Sequence, residues 1–233
     1  MDDRKPQLAL LARRVGRSAR RAVVTLVVAG AAWAARAAWQ IRLAAAGVPA
    51  SGPPDQGDGR HRPLTSLENS YHFVSALGDA AVLLCAAAFL AWLLRIRDNA
   101  AALSGRPPRH PWPWVYAGWV TPVANLWLPR SLVVDVHRAI APGQRLPRCV
   151  NWWWGLWLAG SLSAVGLMYC TGSTDSVIER AYTDVWQLLA ADAMVVGAAV
   201  AATVMVRTLT TAQQSRTVPL HRPRLSFDPP VQR

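Results

Sequence analysis

Apolar residues in this chain gather in long unbroken runs, not in the strict alternation of half-buried strands. Four blocks stand out: 22–35, which continues past Arg36 to about Leu43, then 73–94, 152–171 and 185–206. Each is close to the ~20 residues a helix needs to cross the hydrocarbon core of a bilayer. The pattern predicts an all-α integral membrane bundle with transmembrane helices at 22–43, 73–94, 152–171 and 185–206. A fifth apolar stretch, 113–129, is shorter and is broken by Pro122 and Pro129.

The polar segments set an orientation. Residues 1–21 carry Arg4, Lys5, Arg13, Arg14, Arg17, Arg20 and Arg21, whereas 44–72 has only Arg60 and Arg62 beside Asp55, Asp58 and Glu68. Arginines resume after the second block at Arg95, Arg97, Arg106 and Arg109. By the positive-inside rule the amino terminus and the start of 95–151 face the cytoplasm of a cell-membrane protein, and 44–72 faces out. If 113–129 crossed the bilayer, Arg130, Arg138, Arg145 and Arg148 would lie outside and the acidic 172–184 loop inside. Both placements break the rule. If it enters and leaves on one side, 20 of the 25 basic residues face the cytoplasm or its border. The sequence therefore predicts a re-entrant or interfacial proline-broken segment and two cytoplasmic termini. Irregular backbone at membrane depth must be buried by other helices or line a wet cavity.

Shorter signals fill in the map. In 1–21, Leu8, Leu11, Ala12, Val15 and Ala19 recur at helical spacing among arginines, as in a basic amphipathic helix on an anionic leaflet or a simple topology anchor. The same region imitates a signal peptide, but its apolar run continues through Trp39 and Ile41, which argues against cleavage. Leu132, Val133, Val136, Ala139 and Ile140 mark one face of a short amphipathic helix, with Asp135 able to pair with Arg138 at i,i+3. Trp152, Trp153, Trp154 and Trp157 open the third block and suggest an indole belt at the inner headgroup boundary. Small residues spaced by four (Gly30–Ala34–Ala38, Gly155–Ala159–Ser163, Ala193–Gly197–Ala201) suit close helix approach. The proline- and arginine-rich 207–233 reads as a disordered cytoplasmic tail.

The formal charge of +12 does not make this a nucleic-acid binder, because the basic residues flank apolar blocks and form no separate basic domain. Cys85, Cys149 and Cys170 are far apart, so neither a metal site nor a disulfide framework is expected. No HExxH, GxSxG, P-loop or dinucleotide fingerprint is present, and none of the five histidines lies deep in a block to ligate haem. We expect no cofactor and no catalytic centre. Three charges do interrupt the blocks: Arg36, Asp79 and Asp192. Each falls six or seven residues from the predicted outer end, roughly 10 Å deep. An isolated charge in a bilayer costs about 2.5–3.5 kcal/mol at the centre of a helix on insertion scales. Pairing of Arg36 with Asp79 or Asp192 is therefore expected, as a helix lock or as part of a transport path.

The stretch Gly118–Arg138 (GWVTPVANLWLPRSLVVDVHR) resembles the core motif of a bacterial membrane family, domain of unknown function 4328. There a G-W-x-x-P-x-x-N-L-x-x-P run precedes a short polar-amphipathic helix. The matching residues are Gly118, Trp119, Pro122, Asn125, Leu126 and Pro129, followed by Asp135. The runs at 95–100 and 152–157 are also similar, and the resemblance covers about 70–210. It implies no activity. Physically, Pro122 and Pro129 free backbone carbonyls, Asn125 offers a donor and an acceptor between them, and Trp119 and Trp127 suit an interface. Asn99, Asn125, Arg130 and Asp135 are expected to line a cytoplasmic pocket for a lipid headgroup or a partner peptide. The expected function is a non-catalytic membrane component embedded in the lipid bilayer, with a protein partner or a second copy as further associates. The alternative is a small transporter or channel subunit built on Arg36, Asp79 and Asp192.

Overall fold

The computed structural model describes residues 4–52, 62–105, 107–121, 123–170 and 177–217. Among these there are seven α-helices and no strand: α1 (Arg4–Ala46), α2 (Ser66–Ser104), α3 (Trp112–Val120), α4 (Leu128–Ile140), α5 (Arg148–Cys170), α6 (Val177–Thr183) and α7 (Val185–Thr217). A single 3-10 turn, Ala124–Leu126, links α3 to α4. Among the described residues, three helices are long and apolar enough to cross a membrane, within Val15–Ala46, Ser66–Ser104 and Val185–Arg216. Their outward faces carry Val24, Val27, Leu77, Leu83 (73% exposed), Leu84 and Val200 (61% exposed). Apolar side chains displayed in bands on several helices suit hydrocarbon as the surrounding solvent.

The helices outrun their apolar blocks. α1 is continuous from Arg4, with no break at 21/22, so the basic 4–21 segment is not a separate surface helix. At 1.5 Å per residue its 43 residues measure roughly 65 Å, about twice the hydrocarbon thickness. The extension is held by packing: Val15, Ser18, Ala19 and Ala22 are buried, and Gly16 lies against the end of α7, with 3.2 Å between its Cβ position and Gln214 Nε2. For the same reason α7 runs on to Thr217, burying Leu209, Thr210 and Gln213. Residues 207–217 are thus helical, not a disordered tail. The remainder of the expected tail, 218–233, lies outside the described residues, as do residues 53–61 of the exterior loop and residues 171–176 at the start of the acidic loop.

Close contacts fix the directions of the helices. Gly16 with Gln214, Gly30 with Ala199 and Arg36 with Asp192 make α1 antiparallel to α7. Trp33 with Gly78 lies along the α1–α2 interface. Trp92 Nε1 donates to Thr210 Oγ1 (3.1 Å) and Gln213 Nε2 to the Ile96 carbonyl (3.4 Å), so α2 runs parallel to α7. Gly197 meets Leu156 and Gly160 meets Met194, so α5 is antiparallel to α7. The start of α1, the end of α2, the start of α5 and the end of α7 therefore share one arginine-rich end of the bundle. The α3–α4 segment leaves that end and returns to it. The close approaches use Gly30, Gly160 and Gly197, while Ala34, Ala38 and Gly155 of the small-residue stripes are exposed.

The main core lies toward the arginine-rich end. Phe89, Trp92, Leu93, Ile96, Val115, Leu132, Val133, Val136, Ile140, Trp153, Trp154, Met205 and Leu209 are buried together. Here the indoles of α5 depart from the expected headgroup belt. Trp153 packs on Phe89 (5.7 Å between ring centroids), and Trp154 stacks on Trp157 (5.5 Å), leaving Trp152 outside. Trp119 meets Phe89 edge-on at 5.7 Å. Aromatic pairs in this range add to the gain from burial, which favours an aromatic knot joining α2, α3 and α5.

Candidate functional site

At the arginine-rich end the last turns of α2, the 107–110 segment, α4 and the end of α7 enclose a cleft of about 580 Å³. Each wall has a local cause. Gly105 ends α2 with a left-handed φ of 66°, its N–H donating to the Ala101 carbonyl, and Pro107 and Pro108 prevent a new helix. α4 packs Leu132, Val133, Val136 and Ile140 into the core, and Leu132 and Val136 also line the cleft beside Asp135, Arg138 and Ala139. The fold-back of α3 onto α4 requires a missing side chain. A Cβ at Gly118 would lie 2.6 Å from Leu128 Cδ2 and 3.1 Å from Leu128 Cβ.

The cleft is basic. Arg97, Arg109, His110, Arg138 and Arg216 line it against one carboxylate, Asp135. Arg97 is buried, and its guanidinium donates to the His110 carbonyl, fastening the 107–110 rim to α2. Asp135 sits 3.7 Å from Arg109 Nη1 and 3.6 Å from His110 Nε2, so its partners come from the rim. On α4, burial first and then the Arg138 charge push His137 below its ordinary range. Among the described residues, no group of three or more His, Cys, Asp and Glu side chains is placed to hold a metal ion.

The expected pocket residues are dispersed. Asp135 lines the cleft, but Asn99, Asn125 and Arg130 do not. Asn99 is buried on α2. Arg130 donates to Asn151 Oδ1 (2.9 Å), tying α4 to α5. Asn125 lies in the 3-10 turn; its N–H donates to the Thr121 carbonyl (2.9 Å), and its buried Oδ1 accepts no hydrogen bond. Trp119 is in the aromatic knot, Trp127 is exposed, and Pro129 is buried in the first turn of α4. Pro122 lies outside the described residues.

The three charges within the apolar blocks are only partly gathered. Arg36 Nη2 is 3.7 Å from Asp192 Oδ1, and the Arg36 guanidinium lies 4.5 Å above the Trp33 ring. Asp192 is buried and neither of its oxygens accepts a hydrogen bond. Asp79 is on the exposed face of α2, with no ion pair to Arg36.

One constellation escaped the sequence reading. Glu68, assigned above to the exterior loop, is fully buried at the first turn of α2, ahead of the apolar run. Its carboxylate accepts from Arg62 Nη1 (2.8 Å) and Nη2 (2.6 Å), from Thr65 N (2.8 Å) and Oγ1 (2.9 Å), and from Tyr182 Oη (3.1 Å). The Arg62 hydrogen bonds hold its pKa down at about 2, while burial and the adjacent carboxylate push Tyr182 up to about 12. The capping-box spacing Thr65-x-x-Glu68 was the available signal.

A family model described as domain of unknown function matches residues 67–211, from the first turn of α2 through most of α7. The chain belongs to this family, domain of unknown function 4328. No curated protein and no solved structure matches it. The family region contains both walls of the cleft contributed by α2 and α4, the aromatic knot and Asp192. α1, which supplies Arg36, precedes it. Within the region the Gly118-Trp119 pair has a definite job: the glycine admits Leu128, and the indole beside it enters the knot.

Proposed function

We propose that this protein is a non-catalytic component of the cell membrane that binds a lipid or a protein partner in the cleft at its cytoplasmic face. In this reading α5 is the fourth span, both termini are cytoplasmic, and residues 112–140 form a re-entrant or interfacial hairpin. The observation that carries it is the cleft itself, a concave site of about 580 Å³ with four arginines on its walls. It lies at the end where the positive-inside rule puts the cytoplasm. The helix directions support the hairpin, since α3 and α4 start and finish at one end.

The transport reading loses its strongest support. It relied on two carboxylates near Arg36, and Asp79 points away from the bundle. The Arg36–Asp192 pair then serves as a lock between α1 and α7. The experiment is purification of the full chain in native lipid, with mass spectrometry of what stays bound. A stoichiometric lipid or protein lost on changing cleft residues supports the proposal. A retained solute that depends on Asp192, with nothing at the cleft, overturns it.

A further inference from the structure

We infer that the occupant of the cleft is the headgroup of an anionic phospholipid, with the phosphate held by arginine and a headgroup donor held by Asp135. This rests on the proposed binding role of the cleft and names its ligand. Charge is the first argument. Counting the guanidiniums and the carboxylate alone, four arginines against Asp135 leave a surplus of three positive charges. Arg138 and Arg216 have no ion-pair partner among the described residues, and Arg109 is 74% exposed, so its side chain can turn onto a ligand. Guanidinium N–H groups match phosphate oxygens in charge and in planar spacing. Asp135 accepts hydrogen bonds only, so it selects a headgroup that also carries a hydroxyl or ammonium.

Depth is the second argument, and it favours a lipid over a soluble phosphate compound. The 107–110 rim leads directly into α3, whose Trp112, Trp114 and Tyr116 are all exposed. Trp152, at the start of α5, is exposed at the same end of the bundle. Exposed indole and phenol rings on an apolar helix settle at the headgroup boundary. A basic cleft bordered by such rings sits at the level of lipid phosphates, where each arginine gains from an anionic leaflet.

The test uses the full chain in neutral detergent, with native mass spectrometry after adding phosphatidylglycerol or phosphatidylcholine vesicle lipid. The expected result is retention of phosphatidylglycerol over phosphatidylcholine. Arg138→Gln with Arg216→Gln, both exposed, should weaken it about 30-fold. Arg20→Gln with Arg21→Gln removes equal charge from the same end but outside the cleft, and should have little effect. Equal retention of both lipids, or equal loss in both double variants, overturns the headgroup assignment. Displacement of the lipid by glycerol phosphate at matched concentration would point instead to a soluble phosphate ligand. A protein crosslinked at Arg138→Cys without lipid preference would leave the cleft's binding role standing and overturn this inference alone. Absence of any ligand or partner sinks both.

Discussion

Replacing Glu68 with Gln should release the first turn of α2 without unfolding the bundle. The carboxylate accepts five hydrogen bonds, two from Arg62, two from Thr65 and one from Tyr182, 114 residues away. Glutamine keeps the shape but loses the charge, and its amide must point an N–H at another donor. Removing one partner of a buried ion pair costs about 3–5 kcal/mol. Arg62 retains a path to water, its side chain being 11% exposed, so the lower end, about 3 kcal/mol, applies. Hydrogen exchange of the Glu68 and Asn69 amides reads this opening. They bond to Thr65 Oγ1 and the Thr65 carbonyl, and should exchange roughly 150-fold faster in the variant. Acid should imitate the substitution in the wild type. Glu68 is held at about 2 in the fold against an ordinary carboxyl near 4.3. Its contribution is therefore complete above about pH 4.3 and is lost as pH falls through about 2. The variant should show no such dependence at these amides. Less than fivefold acceleration would refute the reasoning, because the clamp would then contribute little.

Three further outcomes follow from the geometry. Gly118→Ala should lower thermal stability in detergent: overpacking against Leu128 costs about 1–3 kcal/mol, offset by about 1 kcal/mol of helix propensity, and Leu128→Ala in the same chain should restore it. Asp192→Ala leaves Arg36, whose side chain is 14% exposed, without its partner and should destabilise by about 3 kcal/mol, measured by denaturant unfolding, with Arg36→Met recovering most of the loss. Asp79→Asn, on the exposed face of α2, should leave stability and lipid retention unchanged; a loss in either would return Asp79 to the charged layer.

The apolar blocks were legible because membrane-crossing helices advertise themselves in mean composition. Their ends were not, because what prolongs α1 and α7 is a contact between them, Gly16 against Gln214, and no local propensity reports it. Indoles posed a similar ambiguity. Trp153 and Trp152 are neighbours of equal chemistry, yet one enters the aromatic knot and the other faces outward, a choice made by Phe89 on another helix. Of the pocket residues named from the motif, Asp135 reached the cleft because α4's amphipathic period fixes its face. Arg97, Arg109 and Arg216 were visible only as topology charges until α2, the proline rim and α7 brought them together. Glu68 could have been found from its capping box, but Tyr182 could not.

The central claim, a basic cleft on the cytoplasmic side of four spans, depends most directly on which side Arg145 faces. It is exposed just after α4, at the arginine-rich end. In a chain with its native cysteines replaced, Arg145→Cys should react with an impermeant thiol reagent only after the membrane is opened. Ser51→Cys, in the opposite loop, should react in intact cells. Labelling of Arg145→Cys from outside would place the cleft beyond the cytoplasm and contradict the account.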